Sequence, residues 1–349
     1  MTTVTISLLS TAFIFLVSIL ITGLIGARPN GDILLGVSLP NYVLEDEEVT
    51  GLVKKFKRAY WLRALICTLL ILPIIFIGEY AATLYLLFWC CITLYLLLGI
   101  SAKYFSHLHT LKVENKWQVG AQNIIVIDTE VSRQKNTFML SQKWFLIPLA
   151  LTVALSIIEA TQDSLLAFGP IFGLGMLVLF YLVFRLIGKV KTKIYSQDTE
   201  INLHLNHVFK QEWSRCMIIL AVLSCLFTVS FSYLAGVYDN TAVHVVTTMH
   251  IIAFVFVAAN FAVIIAAHRN IMIQRNQYLP AVQEMINRDD DQYWIGGIIY
   301  NNPSDSSIFV EKRIGMGFTI NIGSYGGKLF LVGSFLAVIG TILVILWLT

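Results

Sequence analysis

Apolar residues in this chain run in long uninterrupted blocks, and polar residues collect between them. Eight blocks approach the about 20 residues that cross a bilayer core as a helix: 4–26, 60–78, 81–101, 144–160, 164–188, 213–236, 242–267 and 329–348. Before the last block the pattern changes. In "WIGGIIYNNPSDSSIFVEKRIGMGFTINIG", Trp294 to Gly323, apolar residues recur at every second position through Ile314, Met316, Phe318, Ile320 and Ile322. That period predicts a strand. Ile295–Tyr300 predicts another, "NNPSD" supplies turn chemistry, and Ile308–Val310 is expected to pair back. A lone hairpin is marginal in water, so these strands should pair with others or lie on the ends of the helices.

The other odd-numbered loops carry weaker patterns. Loop one has a short apolar run stopped at Pro40, then an acidic helix start at Asp46–Glu48 and basic residues from Lys54 to Arg58. Those charges suit a helix dipole, and Leu52, Val53 and Phe56 would form the apolar side of an interfacial or docking helix. Loop three contains "NIIVID", a strand-like run, and loop five contains "EINLHLNH", which alternates.

Composition settles the class. Apolar residues make up 57% and charged residues 13%, about half the charge a soluble surface carries. The expected fold is an all-α integral membrane protein of about eight transmembrane helices, with a small cytoplasmic β-containing cap formed by the odd-numbered loops. Its parts would be helices one to seven with their loops (1–268), a strand-rich module (269–328) and helix eight (329–349). The first block lacks a basic n-region and a small-x-small cleavage site, so it reads as an uncleaved span.

All 24 Lys and Arg fall in or beside the odd loops, with none in the even loops or at the termini. Positive charge favours the cytoplasmic side, so both termini are expected outside a cell membrane. The net charge of +3 then reflects this sorting and points to no nucleic-acid partner.

Trp61, Trp144 and Trp213 each stand beside a basic residue where spans two, four and six begin, the pairing that anchors helices at headgroups. The three hairpins that follow are either a duplicated unit or the same anchoring physics used three times. Pro73, Pro148 and Pro170 can bend their spans, and "GPIFGLG" offers small residues for close helix approach. Cys67, Cys90, Cys91, Cys216 and Cys225 all lie in apolar spans without disulfide or metal spacing, which suits packing.

Chemistry is sparse. "GSYGGK" is one residue short of a phosphate loop, and Leu329 stands where Ser or Thr should meet magnesium. His107 with His109, and His204 with His207, have metal-like local spacing. The first pair lacks a third ligand nearby, and the alternating segment would point the second pair to opposite faces. Arg63 and Arg185 lie near cytoplasmic ends, where they can snorkel. His250 is placed well inside span seven with Asn260 about three turns on. Intramembrane polar groups are functional candidates, although a single His also serves as an interhelical hydrogen bonder. The spans have no midplane Asp, Glu, Lys or Arg for ion coupling, and no nucleophile and base stand together. No catalytic residue, metal ligand or cofactor is assigned. Glu79, Glu159, Asp163 and Asp239 would form a negative outer rim, open to a cationic peptide or simply left by positive-inside sorting.

Two stretches, "GDILLGVSLP" with "DEEVTGLVKKFKRAYW" and "DDQYWIGGIIYNNPSDSSIFVEKRIGMGFTINIG", resemble a family of bacterial polytopic membrane proteins of unknown function. These are common in Gram-positive bacteria and distantly similar to immunity proteins against peptide toxins. The likeness rests on Trp294 with Gly296, Tyr300 with Asn302 and Pro303, Phe309 to Arg313, and Gly317 with Thr319 and Asn321. "IDTEVSRQKNTFMLSQKWFLIP" also resembles that group, whereas the turn before span five is shorter than in its members. The resemblance implies a cytoplasmic-membrane protein and no reaction.

The resulting expectation is a binding, signalling or immunity protein, whose helices sense or sequester a ligand and whose cap contacts a regulator or transporter subunit. Trp294, Tyr300, Asn302, Lys312 and Arg313 are expected on the cap's partner surface, or else as stabilisers of its hairpin. The alternative is a small-molecule or lipid transporter without ion coupling, its pathway near His250 and Asn260.

Overall fold

A computed structural model describes residues 3–117, 129–134, 138–160, 168–237, 243–278 and 289–348. The helices are α1 (Thr3–Gly26), α2 (Glu47–Leu70), α3 (Glu79–Glu114), α4 (Thr129–Gln134), α5 (Leu146–Ala160), α6 (Phe168–Lys189), α7 (Thr199–Val237), α8 (Val243–Tyr278) and α9 (Tyr325–Leu348). Among the described residues, six short strands accompany them: β1 (Ile33–Leu34), β2 (Val37–Ser38), β3 (Trp294–Ile295), β4 (Ile299–Tyr300), β5 (Phe309–Glu311) and β6 (Phe318–Ile320). Among the described residues, five helical stretches are long and apolar enough to cross a membrane: Thr5–Gly26, Glu47–Ile75, Glu79–Glu114, Thr199–Leu234 and Thr247–Tyr278. Gln142–Ile158 is a shorter apolar helix.

Several helices outrun their apolar blocks. α3 and α8 each hold 36 residues, about 54 Å of helix against a hydrocarbon core of about 30 Å. The surplus lies at the N-terminal ends of α2 and α7 and at the C-terminal ends of α3 and α8. The helix expected in loop one is therefore continuous with span two. Asp46 caps it, accepting from the Glu48 N–H at 2.8 Å, and Val49, Leu52, Phe56 and Tyr60 line its buried face. Pro73 lies just beyond the α2 terminus, in a 3-10 turn, Leu72–Ile75.

The chain divides into two compact units. One comprises Met1–Leu20, Leu62–Leu96 and Ile127–Gln283. Within it α7 packs on α5, α6 and α8, and Gly173 of α6 leaves no room for a Cβ against the Thr228 side chain. Arg63 donates to the Leu96 carbonyl at 2.8 Å, so the α2–α3 pair holds this cation internally.

The alternating "EINLHLNH" lies on α7, where the sequence period points to a strand. Asn202 and Asn206, one turn apart, explain the helix. Asn202 Oδ1 accepts from the Tyr195 and Ser196 N–H groups, and Asn206 Oδ1 accepts from Lys193 N–H at 2.9 Å. Their amides donate to the Ser196 and Lys193 carbonyls at 2.9 and 2.7 Å. The polar positions thus face the extended segment 193–196 and satisfy its backbone. His204 consequently reaches Gln274 Oε1 at 3.0 Å, and His207 stacks on Phe138. Trp213 is buried, unlike Trp61 and Trp144, so it packs inside this unit and is no headgroup anchor.

The other unit comprises Ile21–Trp61, Leu97–Val126 and Glu284–Thr349, and all six strands belong to it. It differs from a separate 269–328 module: Arg269 to Tyr278 continue α8, while loop one, the end of α3 and α9 join the strands. β1 pairs with β2 around Leu35 and Gly36, both left-handed with φ of 49° and 86°, as a type I′ hairpin requires. β3 pairs with β4, Trp294 opposite Tyr300, so Ile295–Tyr300 is a hairpin in itself and not one strand. β5 pairs with β6, Phe309 opposite Ile320. The strand-like run in loop three falls outside the described residues.

The β3–β4 turn requires Gly297. Its φ is +70°, and an added Cβ would lie 2.7 Å from the Phe105 ring. A left-handed non-glycine residue costs about 1–3 kcal/mol, and crowding adds a similar amount. Gly297→Val is expected to destabilise this unit by at least about 2 kcal/mol, read as faster protease cleavage near Asp305 in detergent-solubilised protein.

Candidate functional site

In the strand-bearing unit, charged side chains from distant parts of the sequence converge. Asp291, 4% exposed, lies between two buried cations. Its Oδ2 accepts from Lys112 Nζ on α3 at 2.6 Å, and its Oδ1 accepts from Arg313 Nη1 in the β5–β6 loop. Oδ1 also accepts from the Ser38 N–H on β2 at 3.1 Å. Lys112 has a second carboxylate partner, Asp289, at 2.7 Å. Arg313 Nη2 pairs with Asp290, and its Nη1 also donates to the Gly36 carbonyl at 2.7 Å. The guanidinium lies 5.2 Å from the centre of the Trp294 ring. Helix α3, the β1–β2 hairpin, segment 289–291 and the β5–β6 loop are thus tied through one carboxylate.

Burial alone would raise the Asp291 pKa, but Arg313 and Lys112 outweigh it and hold the carboxyl below its usual range. The same attraction outweighs the burial of Arg313 and raises its pKa. Burial lowers that of Lys312, whose backbone N–H closes the β5–β6 hairpin on the Gly317 carbonyl at 3.0 Å.

A second knot orders the strands. The Asn321 side chain, fully buried, uses its whole hydrogen-bonding capacity. Oδ1 accepts from the Asn302 and Gly323 N–H groups, both at 3.0 Å, while Nδ2 donates to the Asn302 and Asp305 carbonyls at 2.9 and 2.7 Å. Asn302 Nδ2 donates to the Tyr300 hydroxyl at 3.0 Å, and that ring packs on Trp294. Ser324 caps α9, its Oγ accepting from Gly327 N–H at 3.0 Å. The glycines of "GSYGGK" therefore serve close packing: a Cβ on Gly323 would come within 2.6 Å of the Asn302 backbone, and one on Gly327 would collide with the Asn321 carbonyl.

These contacts place the residues expected on a partner surface inside the unit. Trp294, Tyr300, Asn302 and Arg313 are interior residues that join the unit together, and Lys312 is half-buried. What faces outward is a recess of about 300 Å³ beside the charge network, lined by His109, Lys112, Lys116, Trp117, Asp289 and Gln292 among others. Lys116 is exposed and, among the described residues, forms no ion pair. His109 stacks on Phe105 at 6.0 Å between ring centres. His107 is exposed on the same helix. Sequence reasoning missed Lys112 and Asp291 because they are 179 positions apart. The available hint was a run of three aspartates, Asp289–Asp291, separated from Trp294 by Gln292 and Tyr293.

The other candidates belong to the helical unit or lie outside the described residues. His250 and Asn260 both lie on α8, and Asn260 donates to the Phe256 carbonyl of its own helix at 2.7 Å. Glu79 is exposed at the start of α3. The Glu159 side chain, Asp163 and Asp239 lie outside the described residues.

Asp291→Asn removes the charge that balances two buried cations, and a change of this kind costs about 3 kcal/mol or more. The native pKa is depressed, so the carboxylate's contribution is complete above its unfolded pKa and disappears as pH falls through the folded value. The stability gap between wild type and Asp291→Asn, measured by denaturant midpoints, should be full near pH 7, begin to shrink at about pH 4, and narrow further as pH falls toward the depressed folded value. A gap independent of pH would contradict this assignment.

A family model, DUF5808, described as a family of unknown function, matches residues 303–328. The match takes in β5, β6, Arg313, Asn321 and the cap of α9, the part of the unit with the densest side-chain hydrogen bonding. No curated protein matches the chain, and no solved structure does. The similarity therefore covers the β5–β6 segment and the start of α9, and names no activity.

Proposed function

We propose that this chain is a multi-pass bacterial membrane protein with eight spans, both termini outside, that acts by binding. In this reading its strand-bearing unit faces the cytoplasm and takes an acidic segment of a regulator or transporter subunit at the recess beside Lys116. The helices sense or sequester a ligand, in the manner of a signalling or immunity protein. The observation that carries the reading is the charge network: Asp291 and Asp289 are engaged by Lys112, and Arg313 by Asp290 and Asp291. Lys116 and His109 are thus the groups left to meet an incoming anion.

Helix length supports the orientation. In an alternating path, the four surplus ends of α2, α3, α7 and α8 share one side, the side that holds the basic residues. The transporter alternative has less support, since the Asn260 amide is engaged within its own helix.

Two outcomes are expected. In a cysteine-free background, an impermeant maleimide should label a cysteine at Glu79 in intact cells and spare one at Asp305 until the cells are opened; the reverse pattern would invert the orientation. A photo-crosslinker at Gln292 should give a discrete adduct in native membranes. Lys116→Glu should abolish that adduct and Lys54→Glu should leave it; equal yields from all three would remove the recess from the function.

A further inference from the structure

A different cationic cluster lies in the helical unit, where the 3-10 turn Gln142–Phe145 meets the end of α6. Arg185 Nη1 donates to the Tyr181 hydroxyl at 3.3 Å and to Gln142 Oε1 at 3.4 Å, and the Tyr181 hydroxyl donates to the same Gln142 oxygen at 3.4 Å. All three bonds are long against the usual 2.9 Å, so an anionic oxygen can replace them at little cost. Arg185 and Lys143 are exposed and, among the described residues, form no ion pair. The buried Phe145 ring holds this arrangement in place, edge-on to Tyr181 and Phe184 at 5.5 and 5.3 Å between centres.

The surroundings have the profile of a lipid site. Trp144 is 57% exposed beside Lys143, at the level where indoles sit among headgroups. Further into the helices, Leu146 and Ile147 on α5 and Val178, Leu179 and Leu182 on α6 are all at least half exposed. Val178 lies about 10 Å along the helix from Arg185. Polar donors at one end and open apolar surface below match a phosphate with acyl chains attached, and a free phosphate would leave that apolar surface uncovered.

We propose that Arg185, Lys143 and the Tyr181 hydroxyl bind the phosphate of an anionic phospholipid, with its acyl chains along the exposed faces of α5 and α6. This rests on the reading that α5 and α6 lie in the bilayer, on the leaflet side where anionic lipids attract basic residues. Bound lipid would brace the α5–α6 end of the bundle, filling the outside of a joint whose inside is Phe145 and Phe184.

The test uses the full-length protein in nanodiscs of phosphatidylcholine with a minor fraction of phosphatidylglycerol, followed by detergent extraction and mass spectrometry of the retained lipid. Wild type should retain phosphatidylglycerol well above its share of the mixture. Arg185→Gln and Lys143→Gln should each lower that enrichment roughly fivefold, while Lys54→Gln leaves it unchanged. Retention at the bulk ratio in wild type, or equal enrichment in Arg185→Gln, would overturn the proposal. So would displacement of the lipid by millimolar inorganic phosphate, which would show a free-anion site. A photoactivatable acyl-chain probe separates this from the underlying reading: no labelling of α5 or α6 in any variant would sink the membrane placement, whereas normal labelling without headgroup preference would sink the lipid site alone.

Discussion

One carboxylate removed from water governs the strand-bearing unit. Desolvation penalises Asp291, Lys112 and Arg313 separately, and the cost is offset only when all three meet with their hydrogen bonds complete. That condition is met by elements that have little else in common: a helix end, a hairpin of two-residue strands, an aspartate run and a loop. Replacing such a network with apolar residues can be neutral for stability. What the charges contribute here is position, because one carboxylate engages α3, β2 and the β5–β6 loop at once.

The strands themselves could not supply that order. Pairs of two or three residues make too few backbone bonds to persist in water, and the three hairpins do not merge into one sheet. A backbone bridge, Tyr300 to Asn321 with the Ile322 N–H on the Tyr300 carbonyl at 2.9 Å, links β4 to the end of β6, and side chains do the rest of the joining. Asn321 stands in for a strand partner to Asn302, Trp294 packs between Tyr300 and Arg313, and Ser324 with its glycines sets the first turn of α9 against the Asn321 carbonyl. Two of the motifs that distinguish this segment in the sequence, Tyr-Asn-Pro and Gly-x-Thr-x-Asn, are explained by this internal chemistry. That is why residues expected on a surface are found inside.

The membrane helices were the most legible part. The apolar block 4–26 and helix Thr3–Gly26 nearly coincide, because lipid-facing surface is written directly into composition. Their far ends were not legible. Hydropathy marks where a helix leaves lipid and not where it stops, so α3 and α8 run on through polar residues without a hydropathy signal. The alternation in "EINLHLNH" misled because two of its asparagines answer to neighbouring backbone and not to a strand's two faces. The Gly296–Gly297 pair carries a hairpin signal that the flanking apolar residues mask. Leu35 in a left-handed turn, and a lysine paired with an aspartate 179 positions away, have no local signature at all.

The distances in sequence bridged by the charge network also bear on how the protein is made. Ser38 joins Asp291 across 253 positions, and Gly36 joins Arg313 across 277. Contacts this remote close slowly, and the network cannot close before Arg313 has been synthesised. Loop one and the end of α3 must therefore remain unassembled through most of translation. A ribosome that stalls before Arg313 would release a chain with nearly all its apolar helices and two carboxylates short of one cation, a difference that sets it apart from the finished protein.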